Sequence, residues 1–144
     1  MDSAAQVRYE VRELTPEEVA ARWDELAPAI ARGVDRAHRE FTLDDVRAQI
    51  DKGLAQVVTC EADGAVQAVC VVQVIQYDRM RALRVWIMGG VGLAIWQEVL
   101  MKGLEGLGRH RGAARLEVGV RRGLVPILAR MGFEYAYTEM VRAI

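Results

Sequence analysis

The chain has 144 residues, enough for one domain that buries roughly 68–70% of its unfolded surface without disulfide or metal staples. Its 52% hydrophobic and 27% charged residues exclude a disordered, collagen-like or disulfide-dense chain, and a net charge of −1 argues against a broad nucleic-acid surface. The longest uncharged stretches, Gly64–Tyr77 and Val85–Gln97, fall short of a membrane span, and no basic-then-apolar leader opens the sequence, so the expectation is an intracellular, cytoplasmic protein.

Val7, Tyr9 and Val11 alternate with Arg8, Glu10 and Arg12, which predicts a first strand over Val7–Leu14. Thr15-Pro16-Glu17-Glu18 is a helix start, with Thr at the N-cap, Pro in the first helical position and Glu in the third. One helix is expected from there, with Val19, Trp23, Leu26 and Ile30 on its apolar face, Pro28 kinking its last turns and Gly33 ending it. Thr42-Leu43-Asp44-Asp45 opens a second helix, which runs through Val46 and Ile50 and closes at Gly53.

The period then changes to that of strands. Leu54–Cys60 is expected to be extended, Ala62-Asp63-Gly64 to be a hairpin turn, and Ala65–Tyr77 to be a long Val-rich strand. In that register Cys60 lies opposite a residue near Val66 and far from Cys70, so both cysteines are expected to be buried thiols and not a disulfide. Asp78–Arg81 is a polar turn. Ala82–Met88 is a third strand, with Leu83, Val85 and Ile87 expected on one face and Arg84, Trp86 and Met88 on the other.

Gly89-Gly90-Val91-Gly92 breaks that strand, and a helix follows with Leu93, Trp96, Leu100, Leu104 and Leu107 as its stripe, ending at His110-Arg111-Gly112. Ala114–Val120 alternates again, with Leu116, Val118 and Val120 against Arg115 and Glu117. Arg122–Met131 is a short helix closed by Gly132, and Phe133–Val141 is expected to be a last strand. The order is β-αα-βββ-α-β-α-β. It predicts a single α+β domain over residues 1–144, with a mixed sheet and helices on both faces.

The glycine run is where ligand chemistry could sit. The first turn of a helix has backbone N–H groups without intrahelical partners, and these attract phosphate. The same glycines also suit a plain strand-to-helix turn. Glu117 could take a proton from an amine, or pair with Arg115 or Arg84. Tyr77, Tyr135 and Tyr137 are strand residues that could act as acids. His38 and His110 sit in Arg-rich stretches and read as surface residues. Arg121 and Arg122 could reach a phosphate or be an exposed pair.

With this element order, the glycine run before a helix, and Ile127-Leu128 before Gly132-Phe133, the chain resembles the GNAT superfamily of acetyl-CoA-dependent N-acetyltransferases. It looks closest to short GNAT-like proteins of tailed bacteriophages, through Trp23, Thr42, Asp44, Gly89, Gly90, Trp96, Arg121 and Gly123. The resemblance implies acetyl-CoA as co-substrate, laid in a splay between the strands Ala82–Met88 and Ala114–Val120. It implies pantetheine along Trp86, Ile87 and Met88, and pyrophosphate on Gly89, Gly90, Val91, Gly92 and Leu93. The acceptor would be a small amine or a protein amine entering from the opposite side, near the N-terminal helices, with Glu117 as its base and a backbone N–H near Met88 polarising the carbonyl. The chain departs from the family at Ile87, where the phosphate loop usually has Gln or Arg, at Arg121, where Asn is frequent, and at Leu128, where a general-acid Tyr is usual. The family's final strand is also missing. These departures open an alternative, a catalytically idle fold serving as a virion-associated or partner-binding protein. The missing strand leaves an edge with which a second copy could pair.

Overall fold

The computed structural model describes residues 7–36, 39–90 and 93–144, with side chains described for all of these except 93–96. The chain folds in the order β1 (Tyr9–Leu14), α1 (Pro16–Ala21), α2 (Trp23–Asp35), α3 (Leu43–Asp51), β2 (Gln56–Ala62), β3 (Ala65–Gln76), β4 (Arg81–Gly90), α4 (Leu93–His110), β5 (Arg115–Val118), a 3-10 turn at Arg122–Leu124, and α5 (Val125–Arg130). The strands lie in one sheet in sequence order. β1 to β4 pair antiparallel and β4 pairs with β5 in parallel. A parallel step needs a crossover of a dozen or more residues, and α4 supplies it.

Both helix starts read from the sequence are capped reciprocally. The hydroxyls of Thr15 and Thr42 accept from the backbone N–H groups of Glu18 and Asp45, at 3.1 and 3.2 Å, and those carboxylates accept from the threonine N–H groups. The single helix expected after Thr15 is two. It breaks at Arg22 (φ −110°, ψ 14°), whose backbone caps α1 and whose guanidinium turns to Glu25 and Glu61. α2 runs past Gly33 to Asp35, so Gly33 is no terminator. It faces Ile87 instead, and a Cβ there would run into that side chain.

Asp63 (φ +50°) and Gly64 (φ +84°) make the two-residue turn that joins Ala62 to Ala65. A bulge in β3 sets Cys60 opposite Ala68, not near Val66. Cys60 and Cys70 are free and buried, and burial pushes the Cys70 thiol up to about 12.

Two apolar layers hold the sheet. On one face Leu26 and Ile30 of α2 and Val46 and Ile50 of α3 pack on Val57, Val69, Val71 and Ile87. On the other, Leu100 and Leu104 of α4 pack on Cys60, Cys70, Val72, Leu83 and Val85. Burying each Leu or Ile contributes roughly 1.5–3 kcal/mol. Among the described residues no helix is long and apolar enough to cross a membrane.

The C-terminal end departs from expectation. β5 spans only Arg115–Val118, and the helix after it opens with a 3-10 turn. Phe133–Val141 joins no ladder, and Tyr135 and Tyr137 stand 68% and 74% exposed. Alternation gives that segment strand character, but a strand is stabilised by a neighbour's backbone and side chains. Only Met131 and Phe133 reach the α4-side layer.

Candidate active site

The two halves of β4 have different neighbours. Ala82, Leu83, Arg84 and Val85 lie between β3 and β5, opposite Arg115, Leu116, Glu117 and Val118 of β5. The ladder to β5 ends at Val85. At the next residue β4 bulges: Val85 lies opposite Val72 and Ile87 opposite Val71, so Trp86 has no partner of its own on β3. A bulge bends its strand and increases the local twist. Here it does so where β5 stops, and the sheet opens. Among the described residues, Trp86–Gly90 has only β3 as a strand neighbour. Backbone groups on its far side are therefore available to an extended ligand.

The bulge also overturns the simple alternation expected along this strand. Leu83 and Val85 face α4, Trp86 and Ile87 both pack on the α2–α3 side, and Met88 returns to the α4 side. The Trp86 ring lies 4.8 Å from that of Phe41. Ile87 is buried, so toward the opening it can offer only its backbone.

Gly89 and Gly90 continue β4 instead of breaking it. A Cβ on Gly89 would stand 2.9 Å from the carbonyl carbon of Ala29 and closer still to its oxygen; on Gly90 it would stand 2.9 Å from the Cα of Ala68. These two glycines let α2 and β3 approach β4 closely. Val91 and Gly92 lie outside the described residues. α4 begins at Leu93 with no acidic residue in its first turn, the end of a helix that favours negative charge. A groove of about 330 Å³ lined by Glu25, Arg32, Gln67 and Gly90 runs along the α2 side of the end of β4.

Glu117 sits on β5 one residue before the ladder ends, opposite Arg84. Leu116 and Val118 pack toward α4, so Glu117 faces the other side. Its Oε1 accepts from the Tyr77 hydroxyl at 2.6 Å, and its Oε2 accepts from Arg115 Nη2 at 3.1 Å and Nε at 3.3 Å. The Arg115 guanidinium lies 5.6 Å from the centre of the Tyr77 ring. The Glu117 side chain keeps 18% exposure. Its hydrogen bond to Glu117 raises the Tyr77 hydroxyl above its ordinary value of 10.0, so Tyr77 stays a neutral donor. The ion pair with Arg115 is thus present, and the Tyr77 contact joins it. Periodicity could not find that contact, because residues forty apart meet only through the register of β3, β4 and β5.

A second acidic centre was not singled out in the sequence. Glu61 of β2 is 4% exposed. Its Oε1 accepts from Arg22 Nη2 at 2.9 Å, its Oε2 accepts from the Thr59 hydroxyl at 2.7 Å, and Arg12 Nη1 lies 3.7 Å away. Burial pushes its carboxyl up, but the bonds from Arg22 and Thr59 and the two guanidinium charges outweigh burial and hold it below the ordinary 4.5. The sequence signal was a carboxylate in an apolar strand run, Val57-Val58-Thr59-Cys60-Glu61. Of the other candidates, His110, Arg121, Arg122, Tyr135 and Tyr137 are exposed, and His38 lies outside the described residues. Leu128 is half-buried on α5, where its carbonyl accepts from Phe133 N–H at 3.0 Å.

No protein-family model matches the sequence, and no curated protein matches it. Solved structures do match it over nearly the whole chain. An aminoglycoside acetyltransferase from an uncultured soil metagenomic sample superposes with a TM-score of 0.69 at 12% identity, covering 95% of this chain and 99% of that one. The ribosomal-protein-alanine N-acetyltransferase of Brucella melitensis gives 0.66 at 15% identity over 95% and 99%. Glucosamine-6-phosphate N-acetyltransferase of Arabidopsis thaliana gives 0.62 at 13% identity over 94% and 98%. With five strands in this order, a bulged β4 that parts from β5 and a helix starting beyond it, the chain has the GNAT acyl-CoA N-acyltransferase fold.

Proposed function

We propose that this protein is an N-acetyltransferase that moves the acetyl group of acetyl-CoA to an amine. The observation that carries the reading is the parting of β4 from β5 beyond Val85 and Val118, one residue past Glu117, with α4 following β4. The residues present fit the co-substrate through backbone. Trp86, Ile87 and Met88 offer unpaired strand groups, and the run from Gly89 through Gly90, Val91 and Gly92 to Leu93 leads into a helix start without acidic side chains. When bound, acetyl-CoA supplies an activated acetyl group. The chain's own part is to align that thioester along β4, to offer backbone N–H groups to the carbonyl oxygen, and to accept the amine's proton at a Glu117 oxygen, directly or through water. Tyr77 and Arg115 hold the Glu117 carboxylate in place. The acceptors named for the structural neighbours are an aminoglycoside, a protein alanine and an amino sugar phosphate. Only the amine is common to them, and only the amine is carried over to this chain.

The test is a thermal shift with acetyl-CoA, followed by coenzyme A release in the presence of an amine panel. At a hundredfold excess over Kd, binding stabilises by about 2.7 kcal/mol, or roughly 5–10 °C for a domain of this size. No shift at millimolar ligand with folded protein overturns the reading. A second reading is favoured by Leu128, which has no proton to give where the resembling family has a Tyr. On that reading the fold binds acetyl-CoA or a protein partner without turnover, for instance as a phage virion component. A full thermal shift with no coenzyme A release across the panel selects it.

A further inference from the structure

The apolar layer made with α2 and α3 includes residues of β1 to β4 and none of β5, so the face of β5 that carries Glu117 lies beyond its margin. Arg84 of β4 lies on this face, directly opposite Glu117 in the ladder. The ion pair this placement invites is not made. Glu117 is turned back along β5, with one oxygen on Tyr77 and the other on Arg115. The Arg84 guanidinium runs the other way: its Nη2 stands 3.8 Å from where a Cβ on Gly119 would be, and Gly119 is the first residue past the ladder. Among the described residues no carboxylate lies within ion-pair distance of Arg84, although the residue is half-buried. A half-buried charge without a counter-charge is unfavourable, and an anion from solution relieves it. Two residues along β4, Trp86 stands on the same side, its ring 4.8 Å from that of Phe41.

We infer that the amine taken on this face is a free amino acid, with its ammonium group at Glu117, its carboxylate on Arg84 and its side chain along Trp86. The inference rests on the acetyl-transfer reading for the fate of the amine, and not for its binding. A guanidinium offers a carboxylate two parallel N–H bonds. Neighbouring strands lie about 4.8 Å apart, and Glu117 and Arg84 start from opposed positions and diverge, so they bracket a zwitterion whose two charges sit on adjacent groups. Gly119 has no side chain to stand between Arg84 and the opening. One uncommitted guanidinium answers one negative charge. Arg115, the next cation on this face, is already spent on Glu117, so a doubly charged phosphate finds only a single partner.

Isothermal titration of the full chain with the standard amino acids tests this without reference to turnover. Each amino acid is set against the amine left when its carboxylate is removed, phenylalanine against 2-phenylethylamine and glycine against methylamine. At least one amino acid should bind, and its amine should bind roughly tenfold or more weakly, the loss of a charge-assisted contact. Arg84→Gln should bring that amino acid down to the affinity of its amine and leave the amine unchanged. Gly119→Asp should do the same with Arg84 still in place, because the added carboxylate occupies the guanidinium; the site takes a side chain, with φ outside the left-handed region and Arg84 at ordinary contact distance. Each variant is read on protein that melts cooperatively. The inference is overturned if no amino acid binds at millimolar concentration, if amino acid and amine bind alike, if the preference survives both variants, or if phosphoethanolamine binds more tightly than every amino acid. Failure of the acetyl-transfer reading shows separately, as no acetyl-CoA thermal shift or no coenzyme A release, and leaves these binding results standing.

Discussion

Glu61 and Glu117 are held by the same kinds of partner and sit in opposite circumstances. Each has one oxygen on an aromatic or aliphatic hydroxyl and one on a guanidinium. Glu61 is 4% exposed under the α1–α2 junction, with a second arginine nearby. Glu117 stands at the end of a ladder, with 18% of its side chain open to solvent and a parting sheet beside it. Partners alone therefore do not separate a structural carboxylate from the proton acceptor proposed for the reaction. Access does. A proton acceptor must be reached by what it deprotonates, and the covered carboxylate cannot be.

The largest expected effect that would break this contrast is on rate. Glu117→Gln keeps the shape and removes the base, so turnover on a responsive amine should fall by roughly 10²–10⁴ with acetyl-CoA affinity little changed. Glu61→Gln, assayed where it is folded, should lose less than tenfold. Equal losses would show that the two carboxylates play one role. The next effect is on stability and runs the other way. Removing one member of a buried pair strands the other, so Glu61→Ala should cost about 3 kcal/mol in urea denaturation, while Glu117→Ala should cost less than about 1 kcal/mol.

The pH dependence sharpens the same contrast. The Glu61 carboxyl is held below its ordinary 4.5 in the folded chain. The unfolded chain therefore takes up the proton first, and stability falls as the pH falls. The Glu61 contribution is complete above pH 4.5 and is lost as the pH drops through the lower folded value. Urea midpoints measured between pH 6 and pH 3 should slope downward in the native protein and flatten in Glu61→Gln. The smallest effect is a titration. Tyr77 should ionise above 10.0 because its hydroxyl donates to Glu117, and Glu117→Gln should bring one phenol back toward that value in ultraviolet absorbance.

Packing at the end of β4 gives a further measurement, between the two carboxylates in size. A methyl on Gly89 meets the Ala29 backbone, which has no rotamer to escape into. Gly89→Ala should cost roughly 1–3 kcal/mol by overpacking. At Gly106, where nothing lies within 4 Å of an added Cβ, the same change should leave stability equal or higher.

Local chemistry was legible in the sequence wherever a short stretch decides the outcome. Thr15 and Thr42 start helices because the capping groups lie three residues apart. Asp63-Gly64 turns because both residues tolerate positive φ. The order of strands β1 to β5 and the place of α4 between the last two followed from the change of period, and Glu117 could be placed on the polar side of its strand. The tertiary structure decided what depends on distant partners. Arg22 ends α1 while its side chain answers Glu61, thirty-nine residues away. Trp86 is a bulge because β3 and β4 pair out of step there, and that shift sends Ile87 to the face opposite Leu83 and Val85. Gly33, Gly89 and Gly90 look like punctuation in the sequence, yet they are points of close approach between elements. Phe133–Val141 has the pattern of a strand and is not one here, because pattern sets which side chains share a face, while a ladder exists only where another strand's backbone stands alongside.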